Sequence, residues 1–171
     1  MRLLKLIYEK KHGKPAPYYY NYSLFTVLTK PLAKWATNTL AANCPFNCIR
    51  IFLYRLCGFK IGKKVFIGMR CYLDDMCHDQ LVIEDHVTIS YGVFFSCHGK
   101  GQGHWPITVK KNAYIGMRAS VISKNADPER QGVVIGEGAV VGAMALVNRD
   151  VPAGATAVGV PVKIKEKEKN N

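Results

Sequence analysis

Large aliphatic or aromatic side chains recur at every sixth position over much of the stretch between residues 61 and 159. The positions in phase are Ile61, Ile67, Leu73, Ile83, Ile89, Phe95, Val109, Ile115, Val121, Ile135, Val141 and Val147. A period of six fits neither the repeat of an amphipathic helix nor the simple alternation of a half-buried strand. It is typical of a solenoid with three short faces per coil and one hexad on each face. The pattern therefore predicts an all-β solenoid whose inward side chains stack from coil to coil into one core.

The repeat is interrupted at three points, each after the third hexad of a coil. The step from Leu73 to Ile83 is ten residues, and the steps from Phe95 to Val109 and from Val121 to Ile135 are fourteen. Because each insertion occupies the same place in its coil, we expect all three loops to leave the solenoid from one edge. Insertions gathered on one face of a repeat protein often mark a binding surface.

Residues 1–60 differ from the rest in charge and composition. They carry ten Lys or Arg against one acidic residue, Glu9, whereas residues 61–171 carry fourteen against eleven. Their apolar runs are interrupted by basic residues and are too short to span a bilayer, which needs about 20 apolar residues. We expect helices here, with Pro31 and Pro45 near helix starts or turns. Two roles stay open for this segment: a cap on the open end of the solenoid, and contact with an anionic membrane.

The chain therefore divides into a basic, mostly helical segment (1–60), the solenoid (61–162) and a charged tail (163–171). Its six cysteines are scattered and no cleavable signal peptide precedes the repeats, so we expect reduced thiols and a cytoplasmic protein. If residues 1–60 contact an anionic membrane, the protein is expected to lie peripherally at the inner face of that membrane. Cys44 and Cys48 have no second ligand pair at zinc-site spacing, and no motif for nucleic-acid recognition is present.

The repeat region resembles a known family. The stretches "VIEDHVTISYGVFFSCHG" and "WPITVKKNAYIGMRASVI", and above all the ending "VNRDVPAGATAVGVPVK", are similar to the hexapeptide-repeat acyltransferases, over about residues 61–165. Within that family the chain most resembles the sugar O-acetyltransferases of polysaccharide biosynthesis and the galactoside and maltose type. The resemblance implies a left-handed parallel β-helix, a homotrimer, acetyl-CoA as acyl donor and a carbohydrate acceptor. It implies no metal.

Acyl transfer to a hydroxyl needs a general base, and histidine suits this role because its ordinary pKa lies near neutral pH. His98 follows the inward residue Phe95 by three positions, at the root of the glycine-rich second insertion. In the galactoside type the catalytic histidine occupies the corresponding place, so the resemblance implies that His98 is the base. Ser96 or a neighbouring backbone N–H would stabilise the oxyanion. His12 and His86 are expected at the surface.

The acceptor side is less sharply defined. The segment "GKGQGHWP" is similar to the loop of serine acetyltransferases whose histidine contacts the amino-acid acceptor, although the "GDR" that precedes this histidine there is missing. His104, with Trp105 beside it, is therefore a candidate for acceptor binding. The first insertion supplies three further candidates, Asp75, His78 and Asp79. Each of these also fits a solvated surface role.

The resemblance further implies a CoA site. Small residues and backbone around Gly116, Met117, Arg118 and Ala143 would line the pantetheine channel, and basic or polar residues would meet the nucleotide phosphates. The candidates for the second role are Asn148, Arg149, Lys163 and Lys165. The third insertion, residues 123–132, is polar and is predicted to be a surface loop without an assigned role.

These observations predict an acetyl-CoA-dependent O-acetyltransferase acting on a sugar hydroxyl in surface polysaccharide synthesis. Three alternatives stay open: N-acetylation of a nucleotide sugar, a serine acetyltransferase-like activity, and a non-catalytic solenoid scaffold. The acceptor itself is a matter of loop shape, which the repeat does not encode.

Overall fold

The computed structural model describes residues 2–16, 20, 23–99, 103–127 and 129–165, and it divides the chain into two compact units, Met1–Trp35 and Ala36–Asn171. The first unit contains helices α1 (Arg2–His12) and α2 (Leu24–Trp35). Pro31 lies inside α2, so the expectation that it marks a helix start or turn is wrong. Its fixed φ fits a helix, and the apolar residues on both sides continue the helix at the cost of one hydrogen bond. Among the described residues, no helix is long and apolar enough to cross a membrane.

The second unit opens with a π-helix, Ala36–Ala41, and helix α3, Asn47–Leu56. It continues as a parallel β-helix of three sheets. The strands are β1 Lys60–Ile61, β2 Phe66–Ile67, β3 Leu81–Ile83, β4 Thr88–Ile89, β5 Phe94–Ser96, β6 Ile107–Val109, β7 Tyr114–Ile115, β8 Ser120–Ile122, β9 Val133–Ile135, β10 Val140–Val141, β11 Leu146–Val147, β12 Thr156–Val158 and β13 Lys163–Lys165. The first sheet has the order β1-β3-β6-β9, the second β2-β4-β7-β10-β12-β13 and the third β5-β8-β11.

The strand register confirms the predicted solenoid. Ile83 pairs with Val109 and then Val109 with Ile135 in the first sheet, and the other hexad positions stack in the same way. Eleven of the twelve hexad side chains are buried, and the twelfth, Ile61, packs half-buried against the same core. The period of six is thus the spacing at which successive faces of one coil repeat the same inward position. The residue two positions earlier, such as Val87, Ala113 or Ala139, is buried beside it.

The three insertions leave the solenoid from one edge, as predicted. The second and third begin where β5 and β8 of the third sheet end, and they lead into β6 and β9 of the first sheet. The first insertion follows Tyr72, which bridges to Phe94 of β5, and leads into β3. We call this border between the third and first sheets the loop edge. The border between the second and third sheets is called the corner edge.

Helix α3 covers the open side of the first coil through side chains that replace a missing strand. The Asn47 amide donates from Nδ2 to the Val65 carbonyl (3.1 Å), and its Oδ1 accepts from the Ile67 N–H (3.1 Å). The buried Arg50 donates from Nε to the Ile67 carbonyl (2.7 Å). An unpaired strand edge invites association with other chains, and these side chains satisfy that edge within the molecule.

Replacement of Asn47 by leucine is therefore expected to lower the free energy of unfolding by about 1–3 kcal/mol, because it leaves a buried donor and acceptor unpaired. Leucine is a good helix former, so α3 itself is not weakened. Chemical denaturation measures the effect. The neighbouring exposed residue provides the control: Cys48→Ala should leave the unfolding midpoint unchanged, and equal effects of the two substitutions would contradict the capping role.

The chain does not stop at the last parallel coil. Strand β12 continues the second sheet, and β13 pairs with it in the antiparallel direction, with Ala157 opposite Ile164. Lys163 and Lys165 thus belong to a strand at the end of the second sheet. Residues 166–171, the rest of the expected charged tail, lie outside the described residues.

Candidate active site

The loop edge brings together an aspartate and a histidine from two different insertions. The Asp74 carboxylate lies directly after the inward residue Leu73, and its Oδ2 is 2.5 Å from Nδ1 of His98. The Asp74 side chain is fully buried, whereas that of His98 is 34% exposed. A buried acidic group thus contacts an imidazole that solutes can reach.

Backbone amides hold the carboxylate in place. Asp74 Oδ2 also accepts from the Cys97 N–H (2.6 Å), and Oδ1 accepts from the Met76 N–H (3.0 Å). With two donors fixing the carboxylate, its remaining contact with His98 defines the position and tilt of the ring. An ionised carboxylate only accepts hydrogen bonds, so Nδ1 carries the proton in this pair and Nε2 keeps its lone pair. This is the tautomer that a general base requires.

Asp74 belongs to the first insertion, and the local sequence pattern gives it no role. Its place in the repeat is the signal that could have identified it. Asp74 directly follows the last inward side chain of its coil. If all insertions leave from one edge, a residue at that place lies close to the root of the next insertion.

The second insertion folds back on itself as a short hairpin. His98 and His104 form an antiparallel bridge, flanked by bonds from the Gly99 N–H to the Gly103 carbonyl (2.9 Å) and from the Trp105 N–H to the Cys97 carbonyl (2.9 Å). Paired residues of an antiparallel bridge project to the same face, so His104 stands beside the predicted base. Residues 100–102 at the tip lie outside the described residues.

Trp105 accounts for the glycines of this hairpin. A Cβ on Gly99 or on Gly103 would lie 2.7 Å or 2.5 Å from the Trp105 ring, so the indole packs against two residues that lack side chains. The half-buried ring therefore supports the hairpin that carries both histidines. Its role in acceptor binding stays a prediction.

Two neighbouring side chains, Ser96 and Cys97, are not available as catalytic groups in this structure. The Ser96 hydroxyl donates to the His98 carbonyl (3.2 Å), so in this structure it serves the hairpin rather than a developing oxyanion. Burial raises the pKa of the Cys97 thiol, and the charge of Asp74 adds to the effect. The thiol of Cys97 is therefore neutral near neutral pH and is not a nucleophile.

The three predicted acceptor residues of the first insertion contact other groups. Asp75 accepts from Nδ2 of Asn38 (2.7 Å) and from the hydroxyl of Tyr72 (3.2 Å). The exposed residues His78 and Asp79 lie in a 3₁₀ turn, His78–Gln80. The His78 ring packs edge-on against Phe59, and the Asp79 carboxylate accepts from the Gln80 amide, which lowers its pKa. Their acceptor contacts stay predictions.

The predicted pantetheine residues lie at the corner edge. Gly116 in one coil touches Ala143 in the next so closely that a Cβ on the glycine would be 2.5 Å from the Ala143 nitrogen. Met117 and Arg118 follow in an exposed turn, with Arg118 at a φ of +54°. Within one chain this edge and the loop edge lie on opposite borders of the third sheet, so His98 and these residues do not share a cleft.

The basic candidates occupy two places. Asn148 and Arg149 follow β11 at the loop edge, where the Asn148 carbonyl accepts from the Ala126 N–H of the third insertion (2.7 Å). Arg149 helps to line a surface cavity of about 410 Å³ between this turn and the third insertion, beside the ion pair of Arg130 and Asp150. Lys163 and Lys165 are exposed on β13 at the end of the second sheet.

No protein-family model matches the chain. Among curated proteins, one from Staphylococcus aureus (strain MRSA252) that carries the name of an acetyltransferase is 27% identical over 177 residues, which cover 99% of this chain and 80% of that protein. A serine acetyltransferase of Bacillus licheniformis is 32% identical over 109 residues, and there the match covers 63% of this chain but only 45% of the enzyme.

Solved structures with the same fold include a hexapeptide-repeat acetyltransferase of Vibrio cholerae in complex with acetyl-CoA. It has a TM-score of 0.63 at 22% identity and covers 86% of this chain and 91% of that one. A maltose O-acetyltransferase of Clostridium difficile has a TM-score of 0.59 at 20% identity, with 94% and 97% covered.

The fold and the site together define a parallel β-helix of hexapeptide repeats that carries an aspartate–histidine pair at its loop edge. The chain is thus similar over almost its whole length to a protein named as an acetyltransferase, and it has the fold of the hexapeptide-repeat acetyltransferases.

Proposed function

We propose that the protein is an acetyl-CoA-dependent O-acetyltransferase that acts on a sugar hydroxyl, in the synthesis of a surface polysaccharide. The observation that carries the proposal is the contact of the buried Asp74 carboxylate with Nδ1 of the accessible His98. This contact leaves Nε2 as a base of the kind that acyl transfer needs.

In the proposed reaction, Nε2 of His98 takes the proton of the acceptor hydroxyl as its oxygen attacks the thioester carbonyl carbon. The Asp74 carboxylate stabilises the imidazolium that forms. The tetrahedral intermediate then expels the CoA thiolate as the C–S bond breaks, and the imidazolium returns the proton to the sulfur. The products are an acetyl ester and free CoA, and the base is regenerated.

The support for a carbohydrate acceptor comes from the fold. A maltose O-acetyltransferase covers almost all of this chain, and its name gives a sugar as acceptor. Serine is the second candidate, because the chain is 32% identical to a serine acetyltransferase over 109 residues and His104 stands opposite His98 across the hairpin. The match covers less than half of that enzyme, so the larger part of it has no counterpart in this comparison.

An acceptor screen tests the proposal directly. The full chain is incubated with acetyl-CoA and one acceptor at a time from three groups: simple sugars and oligosaccharides, nucleotide amino sugars, and amino acids. Release of CoA thiol is followed, and products are treated with hydroxylamine, which cleaves esters but not amides. We expect turnover with sugars and a cleavable product. A preference for serine, or a product that resists hydroxylamine as an amide does, would show that the acceptor is not a sugar hydroxyl. If no acceptor led to release of CoA thiol, the proposed activity would be contradicted.

We also propose a homotrimer, because the two halves of the predicted site lie on different edges of one chain. A complete site forms when the loop edge of one subunit, with His98, faces the corner edge of its neighbour, with Gly116 and Ala143. Three-fold cyclic symmetry repeats this cleft three times.

The assembly makes a distinct prediction. We expect multi-angle light scattering to give a trimer, and we expect subunits with His98→Ala and subunits with Met117→Trp, at an exposed position of the corner edge, each inactive alone, to regain activity when mixed and reassembled. The tryptophan blocks only the corner edge of its own subunit, so mixed trimers contain some clefts built from two intact edges. A fully active monomer would refute the shared site.

For the first unit we propose contact with an anionic membrane surface from the cytoplasmic side. Helix α1 exposes Leu4, Leu6 and Ile7 and ends in Lys10, Lys11 and His12. A short basic helix with exposed apolar side chains suits the interface of an anionic bilayer, where the acceptor would be lipid-linked.

Sedimentation with vesicles that contain anionic lipid tests this contact. Each basic residue near such a surface contributes about 1 kcal/mol, so replacing Lys5, Lys10, Lys11 and Lys14 by glutamine should weaken binding more than tenfold and reduce its salt dependence. As a matched control, glutamine at Lys60, Lys63, Lys64 and Lys163 removes the same charge from the solenoid. If both sets weaken binding equally, the effect is one of net charge and α1 is not the contact.

A further inference from the structure

Three side chains at the loop edge offer a carboxylate, a thiol and an imidazole at metal-binding distance from one another. Asp74, Cys77 and His98 each present one ligand atom, and these atoms all lie within 4.8 Å of one another. Asp74 and Cys77 come from the first insertion and His98 from the root of the second. The sequence did not suggest this group, because its third member lies 21 residues beyond its second.

The donor set selects the kind of metal. Thiolate and imidazole favour zinc over magnesium or calcium, and three protein ligands with one further position match a four-coordinate zinc site. In such a site, bonds of 2.0–2.3 Å place neighbouring ligand atoms about 3.3–3.8 Å apart. Ligand atoms as far apart as 4.8 Å would have to approach by about 1–1.5 Å, whereas Asp74 Oδ2 and His98 Nδ1, which are 2.5 Å apart, would have to separate. Side-chain rotation supplies movements of this size.

The surroundings favour one route of entry. Asp74 and Cys77 are almost fully buried, and His98 is partly exposed. A cation therefore reaches the two buried ligands past the His98 ring. The Asp74 carboxylate is already oriented by the N–H groups of Met76 and Cys97, which is the support that a metal ligand usually receives from its neighbours.

We propose that Asp74, Cys77 and His98 form a zinc site whose occupation switches off the enzyme. The inhibitory consequence rests on the proposed function, whereas binding does not. On binding, the Cys77 thiol releases its proton to solvent and the thiolate ligates the metal. If Nδ1 of His98 is the ligand, its proton moves to Nε2, and if Nε2 is the ligand, its lone pair is occupied. In both cases the imidazole can no longer accept a proton from the acceptor.

Binding is measured on the chelator-treated full chain without acyl donor or acceptor. Zn²⁺ is titrated against a chromophoric chelator, and Co²⁺ serves as an optical probe because a thiolate ligand gives a sulfur-to-cobalt charge-transfer band. We expect one metal per chain and such a band. Cys77→Ser should abolish the band and weaken zinc binding by roughly 100-fold or more, beyond the loss usual for an outer-sphere contact. Cys48→Ser, at an exposed cysteine on α3, should change neither.

Inhibition is measured separately, as the ratio of rates with and without Zn²⁺ for each variant. As the zinc concentration rises, this ratio should fall steeply for the wild type and for Cys48→Ser, and it should recover when chelator is added. For Cys77→Ser at the same zinc concentration, the ratio should stay near one. A cobalt complex without the thiolate band, or equal zinc sensitivity of Cys77→Ser and the wild type, would overturn the site. If metal binds as expected but no acceptor supports transfer, the proposed function fails and the zinc site stands.

Discussion

Replacement of His98 by alanine is expected to lower kcat by roughly 10²–10⁴-fold, the usual contribution of a positioned acid–base group. The acceptor hydroxyl then has to lose its proton to water. The affinity for CoA should stay unchanged, because the proposed role of His98 is to take the acceptor proton and not to hold CoA. Steady-state kinetics with the best acceptor of the screen measure kcat, and calorimetry measures CoA binding.

His104→Ala provides the comparison within the same hairpin. If His104 contacts the acceptor, its loss should raise KM for the acceptor more than it lowers kcat. Exposed His86, at a turn of the second coil, serves as a neutral control. A far larger loss of kcat in His104→Ala than in His98→Ala would exchange the roles of the two histidines.

The solenoid could be predicted from the sequence because its core follows one rule. Each face of a coil repeats the same large inward side chain, so Ile89, Ile115 and Val141 appear at fixed intervals and stack in one sheet. The shared edge of the three insertions followed from the same arithmetic. His98 was selected as the candidate base because it lies at the root of the glycine-rich second insertion, where a resemblance also applied, and its catalytic role stays a prediction.

The partner of His98 could not be found in this way. Asp74 and His98 are 24 residues apart and meet only because two insertions leave the same edge in successive coils. The same holds for Asn47, whose amide pairs with backbone 18 and 20 residues further along the chain. Such contacts depend on how separate segments stack, and no local period encodes them.

The predicted site residues also divide between two edges. Sequence order places Arg118 only 20 residues after His98, but the third sheet separates them in the fold. One chain alone does not bring these residues together in a single cleft, which is why the proposed site includes the edge of a neighbouring subunit.

Asp74→Asn is expected to lower kcat by roughly 10²-fold or more while leaving KM for acetyl-CoA and acceptor near wild-type values, since Asp74 acts on the base and not on a substrate. The amide has the shape of the carboxylate but no charge to stabilise the imidazolium. It also cannot satisfy all three donors that face the carboxylate: the N–H groups of Met76 and Cys97 and Nδ1–H of His98. If the NH₂ turns towards His98, the ring must take its proton at Nε2, and the base is lost.

The control for this substitution lies in an exposed turn of the second coil. Asp85→Asn removes an equal charge from an exposed carboxylate, and its kcat should match the wild type. Thermal unfolding and light scattering of Asp74→Asn separate a catalytic loss from a folding defect, because a positioning role predicts a folded trimer with normal CoA affinity and low kcat. A folded Asp74→Asn trimer with wild-type kcat would show that His98 needs no partner, and the assignment of the pair as the catalytic centre would fall.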